Sequence, residues 1–300
     1  MKISVVICTK NRVQELMRCI KSVIAQSLSL DELIIVDAGD TEKAYLKIKE
    51  EFPNDSRFKY IHTFPSYLTA DRNTGVRNSS GDIIIFLDDD TVVDKDFIKE
   101  VAKVFEKDHE KKIGGVMGNM VNVQRPNNIL SNLNLAIRRI FLLPTLGSGR
   151  FRCSGCPTFI HGAKETKNVE FLSGCCMAYR RKVFNDLKFD TGFLEAHLCT
   201  DDEDFSYRVS RKYQNVYTPY AKLVHNPSPI GRDTRYTRTK MTVEARYYLL
   251  KKNFPQTLKH TLAFWWSVIG LIVQAATTMD KESLKGLIRG LAAIKRPFIK

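Results

Sequence analysis

The stretch Asp82-Ile83-Ile84-Ile85-Phe86-Leu87-Asp88-Asp89-Asp90 decides how this chain is read. Five successive apolar residues, three of them β-branched, predict a strand buried on both faces. The acids that follow cannot be buried unpaired, because desolvating an isolated carboxylate costs many kcal/mol. The strand must therefore deliver them to a wet edge. In an open α/β sheet that edge lies at the carboxyl ends of the strands, where ligands bind. Clustered acidic oxygens there suit a hard divalent cation, Mn²⁺ or Mg²⁺, which in turn suits a diphosphate. The alternative is a polar loop whose acids cap a helix beginning near Asp94.

The surrounding sequence favours the sheet. Ile3-Ser4-Val5-Val6-Ile7-Cys8 reads as a strand, and Val13, Leu16, Met17, Ile20, Val23 and Ile24 then recur on one face of a helix. Leu33-Ile34-Ile35-Val36 and Phe58-Lys59-Tyr60-Ile61 are further strands, with helices over 41–51, 69–78 and 94–107 and a strand near 114–123. Such alternation implies βαβ units, a mostly parallel sheet and right-handed crossovers, a Rossmann-like architecture. Residues 126–168 break the rhythm with Pro126, Pro144, Gly147, Gly149 and Pro157, as a lid or binding loop would. Strand character returns at 169–171, 175–179 and 221–224, and a helix is expected over 202–212.

The 300 residues allow one large α/β domain or two small ones, and the 43% apolar and 27% charged content is that of a globular protein. The net charge of +14 is unevenly spread: residues 230–300 hold fourteen Lys or Arg against four Asp or Glu. That basicity suits an anionic partner such as phospholipid, a ligand diphosphate or nucleic acid. Met1 leads directly into the first strand without a signal-peptide pattern, and the seven Cys are an odd, scattered set, so reduced thiols in a cytoplasmic setting are expected. Cys153-x-x-Cys156 with His161, Cys175 and Cys176 is better read as small buried thiols than as a zinc site, since adjacent Cys on a strand face opposite ways.

Polar punctuation recurs at strand ends and helix starts: Cys8-Thr9-Lys10-Asn11-Arg12, Val36-Asp37-Ala38-Gly39-Asp40, Asp71-Arg72-Asn73-Thr74-Gly75, the triple Asp, Ser173-Gly174-Cys175 and Thr200-Asp201-Asp202-Glu203-Asp204. As an ordered set over roughly residues 1–250, these resemble the family 2 glycosyltransferases, which have the GT-A fold and invert the anomeric centre. The resemblance implies that Thr9, Asn11, Arg12 and Asp37 hold the base and ribose of a nucleotide-sugar donor, with Arg72 and Asn73 nearby. It maps the family's DXD motif onto Asp88, Asp89 and Asp90, with Asp90 foremost as metal ligand and Asp88 beside it. The family's Glu-Asp-x-Asp segment falls on 201–204, which implies Asp202 as general base. Two positions depart from the pattern. A second Asp after the one matching Asp37 is replaced by Ala38, and the Glu is replaced by Asp201, which leaves the base open between Asp202 and Asp201. His225 sits where many members carry a His near the metal or diphosphate. Arg232, followed by Arg235 and Arg238 in a loop, offers guanidinium groups for phosphate. Gly174 is expected on the acceptor side.

The tail carries a different signal. Residues 261–276 are uncharged and include Trp265 and Trp266; the run is short for a bilayer span but suits an interface. Leu284, Leu287, Ile288, Leu291 and Ile294 then recur at helical spacing among Lys281, Lys285, Arg289, Lys295 and Arg296, the pattern of a membrane-surface helix. The alternative is that both helices pack on the catalytic domain or form a homodimer contact. The division expected is a catalytic domain over 1–230, with a nucleotide-sugar half at 1–125 and an acceptor half at 126–230, and a basic loop and helical tail over 231–300. The expected function is metal-dependent transfer of a sugar to a lipid-linked or glycan acceptor at the cytoplasmic face of the membrane, by a peripheral or monotopic enzyme. A sugar nucleotidyltransferase is disfavoured because no Gly-rich loop follows the first strand. A nucleic-acid-binding protein is disfavoured because the basic tail is interleaved with aliphatic and Trp residues, so no nucleic-acid partner is expected.

Overall fold

The computed structural model describes residues 1–123, 128–193 and 200–294. The expected division at 125–126, and Lys295 and Arg296 of the tail, lie outside the described residues.

The first half alternates as its periodicity predicts: β1 (Ile3–Thr9), α1 (Val13–Ile24), β2 (Glu32–Asp37), α2 (Lys43–Glu51), β3 (Phe58–His62), α3 (Leu68–Asn78), β4 (Ile83–Asp88), a short β5 (Thr91–Val93), α4 (Phe97–Glu106) and β6 (Ile113–Met120). The second half holds α5 (Ile129–Ile140), β7 (Thr145–Leu146), β8 (Thr158–Phe159), β9 (Lys167–Val169), β10 (Cys176–Arg180), α6 (Val183–Asp186), α7 (Asp201–Ser210), β11 (Gln214–His225), α8 (Arg235–Asn253), α9 (Leu258–Thr277) and α10 (Lys281–Ala293). The main sheet has nine strands in the order β3-β2-β1-β4-β10-β6-β11-β5, with β9 beside β11. After β3 the chain crosses back to the other side of β1, so the sheet's switch point lies between β1 and β4, where doubly wound sheets open a crevice. Register sets the crevice walls: Thr9 pairs with Asp37 and Cys8 with Asp88.

Three elements differ from the sequence reading. β10 runs antiparallel between β4 and β6. Cys176 pairs with Leu87, so the chain enters this strand at the edge that carries Asp88 and brings Ser173-Gly174 there. The irregular insert contains α5, whose start is capped by Asn128, the side chain accepting the Ser131 N–H at 2.8 Å. Arg235 and Arg238 belong not to a loop but to α8, capped by Thr234 through the Thr237 N–H at 3.2 Å. Charged residues at nearly every turn hide the apolar side of α8, yet Met241, Val243, Ala245, Leu249 and Leu250 are buried.

The C-terminal helices pack against this frame with one side only. α10 lies along α8, and a Cβ at Gly286 would come within 2.5 Å of the Tyr236 carbonyl, so only Gly permits that approach. Phe264 and Val268 of α9 pack with Tyr207, Leu250 and Phe254. Trp266 donates its indole N–H to the Ile140 carbonyl at 2.8 Å, and its ring lies 4.7 Å from that of Phe141. The other side of α9 exposes Leu262, Trp265, Ile269 and Ile272. By length and composition α9, at 20 residues, could cross a membrane, although 33% of its most apolar 18-residue stretch is buried inside the protein.

Phe205 anchors α7. Its ring is stacked 4.2 Å from Phe189 and 5.4 Å from Phe184, and meets Tyr179 edge-on at 4.9 Å. Phe205→Ala should cost about 3–5 kcal/mol in urea unfolding, the usual toll for emptying a buried aromatic site. Phe205→Leu should cost distinctly less; equal costs would contradict a packing role.

Candidate active site

A cleft of ≈ 790 Å³ opens at the carboxyl ends of β1 and β4, lined among others by Thr9, Asn11, Arg12, Asp88, Asp89, Asp90, His225 and Arg232. The sequence thus pointed to eight residues that meet around one space, although His225 and Arg232 lie far along the chain. A larger groove of ≈ 1060 Å³ runs along α4 and β11, but none of the strand-end acids lines it.

The three acids of the triple Asp have different partners. Asp89 accepts from the Thr9 hydroxyl at 2.7 Å and from Arg12 Nη1 at 3.1 Å. Burial pushes it up to about 6, against the pull of Thr9 and Arg12. Asp90 Oδ2 accepts the Ser228 N–H at 2.9 Å. Burial alone would raise Asp90, but His225, the Ser228 N–H and Arg12 outweigh it and hold the carboxyl below its usual range. Asp88 is raised, first by burial, with Arg72 opposing and Asp90 adding to it.

Asp88, Asp90 and His225 face one another, with ligand atoms all within 4.8 Å. His225 Nε2 is 3.0 Å from Asp90 Oδ1, yet that buried oxygen accepts no aligned hydrogen bond. His225 and the Asp90 carboxylate attract each other at this distance, and with Asp88 they offer three ligand atoms close enough together to hold one cation. Two carboxylates with one imidazole suit Mn²⁺ better than Mg²⁺, which prefers oxygen throughout.

Asp37 and Asn73 do not line this cleft, whereas Asn11, Arg12 and Arg232 do, and each of the five is engaged by the protein itself. Asp37 is buried and both its oxygens are engaged, by the Gly39 N–H at 2.7 Å and the Tyr60 hydroxyl at 2.5 Å. Asn11 accepts the Asp40 N–H at 3.2 Å, and Ala38 rather than Asp37 lines the cleft. Arg12 reaches across the cleft mouth and donates to the Ile230 carbonyl from Nε at 3.0 Å and Nη2 at 2.7 Å. Asn73 exchanges hydrogen bonds with the backbone of Phe189, at 2.8 and 3.0 Å. Arg232 donates to the Ser228 carbonyl from Nε at 2.5 Å.

Arg72 joins this cleft to the second acidic segment. Its buried guanidinium pairs with Asp201 through Nη1 and lies 3.4 Å from Asp88 through Nη2. The Gly174 carbonyl is also 3.4 Å from Nη2, and a Cβ at Gly174 would press within 2.9 Å of that atom. Asp202 has no cation partner among the described residues. Its Oδ2 accepts the Gly174 N–H at 2.9 Å and its Oδ1 the Glu203 N–H at 2.8 Å. Burial, then the charge of Asp201, push Asp202 up to about 7, against those N–H groups and Arg72. Asp204 is tied to Arg208 at 2.5 Å, to Lys252 at 2.8 Å and to Asn253 at 2.8 Å. Ser228, which positions Asp90 through its backbone, could not be found from residue type; its signal is geometric alone.

The family model for glycosyl transferase family 2 matches residues 4–188. Glycosyltransferase GlyA of Streptococcus pneumoniae is 26% identical over 197 residues, which cover 64% of this chain and 26% of that protein. An N-acetylglucosaminyltransferase of Azorhizobium caulinodans is 29% identical over 128 residues, 39% of this chain and 30% of that one. The chain therefore spans less than a third of the length of either relative. Among solved structures, the mannosyltransferase PcManGT from Pyrobaculum calidifontis, in complex with GDP-Man and Mn²⁺, aligns with TM-score 0.58 at 16% identity, over 99% of this chain and 81% of its own. Staphylococcus aureus TarS in complex with UDP-GlcNAc aligns with TM-score 0.59 at 15% identity, over 98% and 80%. At such identity these likenesses establish the fold, which is GT-A. The chain belongs to glycosyl transferase family 2.

The Arg72–Asp201 pair makes a direct prediction. Removing one member of a buried ion pair costs about 3–5 kcal/mol, because the other charge is stranded. Arg72→Met should therefore lower stability markedly, and adding Asp201→Asn should recover part of the loss. Strictly additive effects in denaturant titrations would contradict the pairing.

Proposed function

We propose that this chain transfers a sugar, with inversion, from a nucleoside-diphosphate sugar in the β1/β4 cleft to an acceptor hydroxyl beside Asp202. The observation that carries this reading is the pair of acid centres joined by Arg72. One offers a cation site facing a cleft of nucleotide size. The other offers a carboxylate that no cation claims.

Asp88, Asp90 and His225 would hold the metal, Mn²⁺ in preference to Mg²⁺, and Asp89 would keep Thr9 and Arg12 in place. When bound, the cation supplies Lewis-acid stabilisation of the charge growing on the leaving diphosphate. Asp202 takes the proton from the acceptor hydroxyl as that oxygen attacks the anomeric carbon opposite the diphosphate. Between the two candidate bases the geometry favours Asp202, since Asp201 is engaged by Arg72. The Gly174 N–H holds Oδ2 of Asp202, and the lack of a side chain at Gly174 lets Arg72 and Asp202 pack against its backbone. Arg12 and Arg232 order the 226–233 segment over the donor rather than reading the base. The aligned structures, one in complex with GDP-Man and the other with UDP-GlcNAc, fit a nucleotide-sugar donor without choosing the nucleotide.

We read residues 1–230 as the catalytic unit and 231–300 as the segment that brings it to a membrane at the cytoplasmic face. What supports this is the exposed apolar side of α9 and the basic surplus around it. A glycan or lipid-linked acceptor at that surface is consistent with both.

Four outcomes follow. Asp90→Asn should lose the Mn²⁺-dependent thermal shift with nucleoside diphosphate; unchanged nucleotide affinity would remove the metal role. Asp202→Asn should keep that shift yet lose transfer by on the order of 10²-fold or more. Because the working form of Asp202 is the ionised one, kcat should rise about tenfold per pH unit below pH ~7 and level off above it. A flat wild-type profile from pH 5 to 8 would argue against it. In flotation with anionic vesicles, Leu262→Glu combined with Trp265→Glu and Ile269→Glu should abolish association, and wild-type protein that never floats would count against membrane binding.

A further inference from the structure

The cleft extends well beyond the cation site. From Asp88, Asp90 and His225 it continues past Thr9 to Ala38, after β2, and to Ser66, Leu68 and Asp71, where the chain enters α3. The acid at this far end is Asp71, which is 3% exposed. Its Oδ1 accepts the Thr63 hydroxyl at 2.8 Å. The same hydroxyl lies 3.3 Å from the Asp37 carbonyl, to which the Thr63 N–H donates at 2.9 Å. Asp71 is thus moored beside the peptide that leads into Ala38. Among the described residues, no N–H group and no cation within ion-pairing distance holds its carboxylate. Burial raises its pKa, against the pull of the Ser66 and Thr63 hydroxyls. Asp37 differs: both its oxygens are engaged, and it does not line the cleft.

Strand order decides which way a donor lies in this cleft. Asp202 and Gly174 stand at the entry to β10, on one side of β4. A nucleoside joined to a diphosphate at the cation site therefore runs the other way, across β1 towards β2. Two strand spacings, about 10 Å, separate β4 from β2 and leave room for the pentose between diphosphate and base. The base then meets Ala38, Leu68 and Asp71.

An ionised carboxylate accepts hydrogen bonds and donates none, and its two oxygens have lone pairs to spare beside the Thr63 contact. It selects a base edge that presents donors. Guanine presents two side by side, N1–H and the 2-amino group, which match the two oxygens of a carboxylate as a guanidinium fork does. Uracil presents one, N3–H, between two carbonyl oxygens that the carboxylate repels. Adenine and cytosine each set a ring-nitrogen lone pair beside their amino group. A buried polar group left unpaired by the wrong ligand discriminates far more strongly than shape alone.

We propose that Asp71 reads the base of the donor and that this base is guanine. This rests on the glycosyltransferase reading and narrows its donor to a guanosine-diphosphate sugar.

The test titrates the full chain with GDP, IDP, UDP, ADP and CDP in the presence of Mn²⁺, by calorimetry. IDP is GDP without the 2-amino group. GDP should bind roughly tenfold or more tighter than UDP, ADP or CDP, the size of a lost charge-assisted hydrogen bond, and IDP should fall between. Asp71→Asn keeps an oxygen for Thr63 but gives up the second acceptor. It should weaken GDP roughly tenfold or more and leave UDP within about twofold. A wild type that prefers another base, or binds all alike, would overturn the assignment. So would Asp71→Asn weakening every nucleotide equally, which would mark a structural acid. If the variant melts far below wild type, GDP against IDP in the wild type decides: a clear gap upholds recognition of the 2-amino group, and equal affinities overturn it. A preference for another base leaves the glycosyltransferase reading standing, whereas no binding of any of the five would count against that reading itself.

Discussion

The buried guanidinium of Arg72 is the constraint on which the site depends. It stands on α3, in the nucleotide-binding part of the sheet, and pairs with Asp201 at the start of α7 while touching Asp88 at the end of β4. Arg72 could not be buried as a charge without these two acids beside it. One cation thus fixes the distance between two centres that the chain supplies from widely separated segments. Phe189, whose ring lies 5.6 Å from the guanidinium carbon, and the Gly174 carbonyl complete its cage.

Given that brace, the carboxylates around it separate by partner rather than by type. Asp201 and Asp204 are matched to cations, Asp89 is held by a hydroxyl and an arginine, and these positions build the walls. Asp90 and Asp88 face His225 across a small gap, and Asp202 is met by backbone N–H groups only. The acids left without a full set of partners are the ones free to meet a ligand.

Much of this was legible in the sequence, and the reason is burial. The run of β-branched residues before Asp88 admits one environment only, so the strand, its edge and its acids followed together. The βαβ order through β6 was equally plain, as was the second acid segment at a helix start. Three things were not legible. The antiparallel direction of β10 depends on where the insert returns the chain, which no local pattern encodes. α8 is a helix whose charges mask its buried side, so Arg235 and Arg238 read as loop residues. Finally, the hydrogen bonds that Asp37, Asn73 and Arg12 make within the protein depend on the fold and could not be read from residue type.

Anomalous diffraction at the manganese edge, from crystals soaked with Mn²⁺ and a nucleoside diphosphate, tests the central claim most directly. A single strong peak within bonding distance of Asp88 or Asp90 carboxylate oxygens and of His225 Nε2, bridged to the diphosphate, is the predicted result. A peak at Asp201 and Asp202 instead, or ordered diphosphate in the cleft with no manganese beside Asp90, would contradict it.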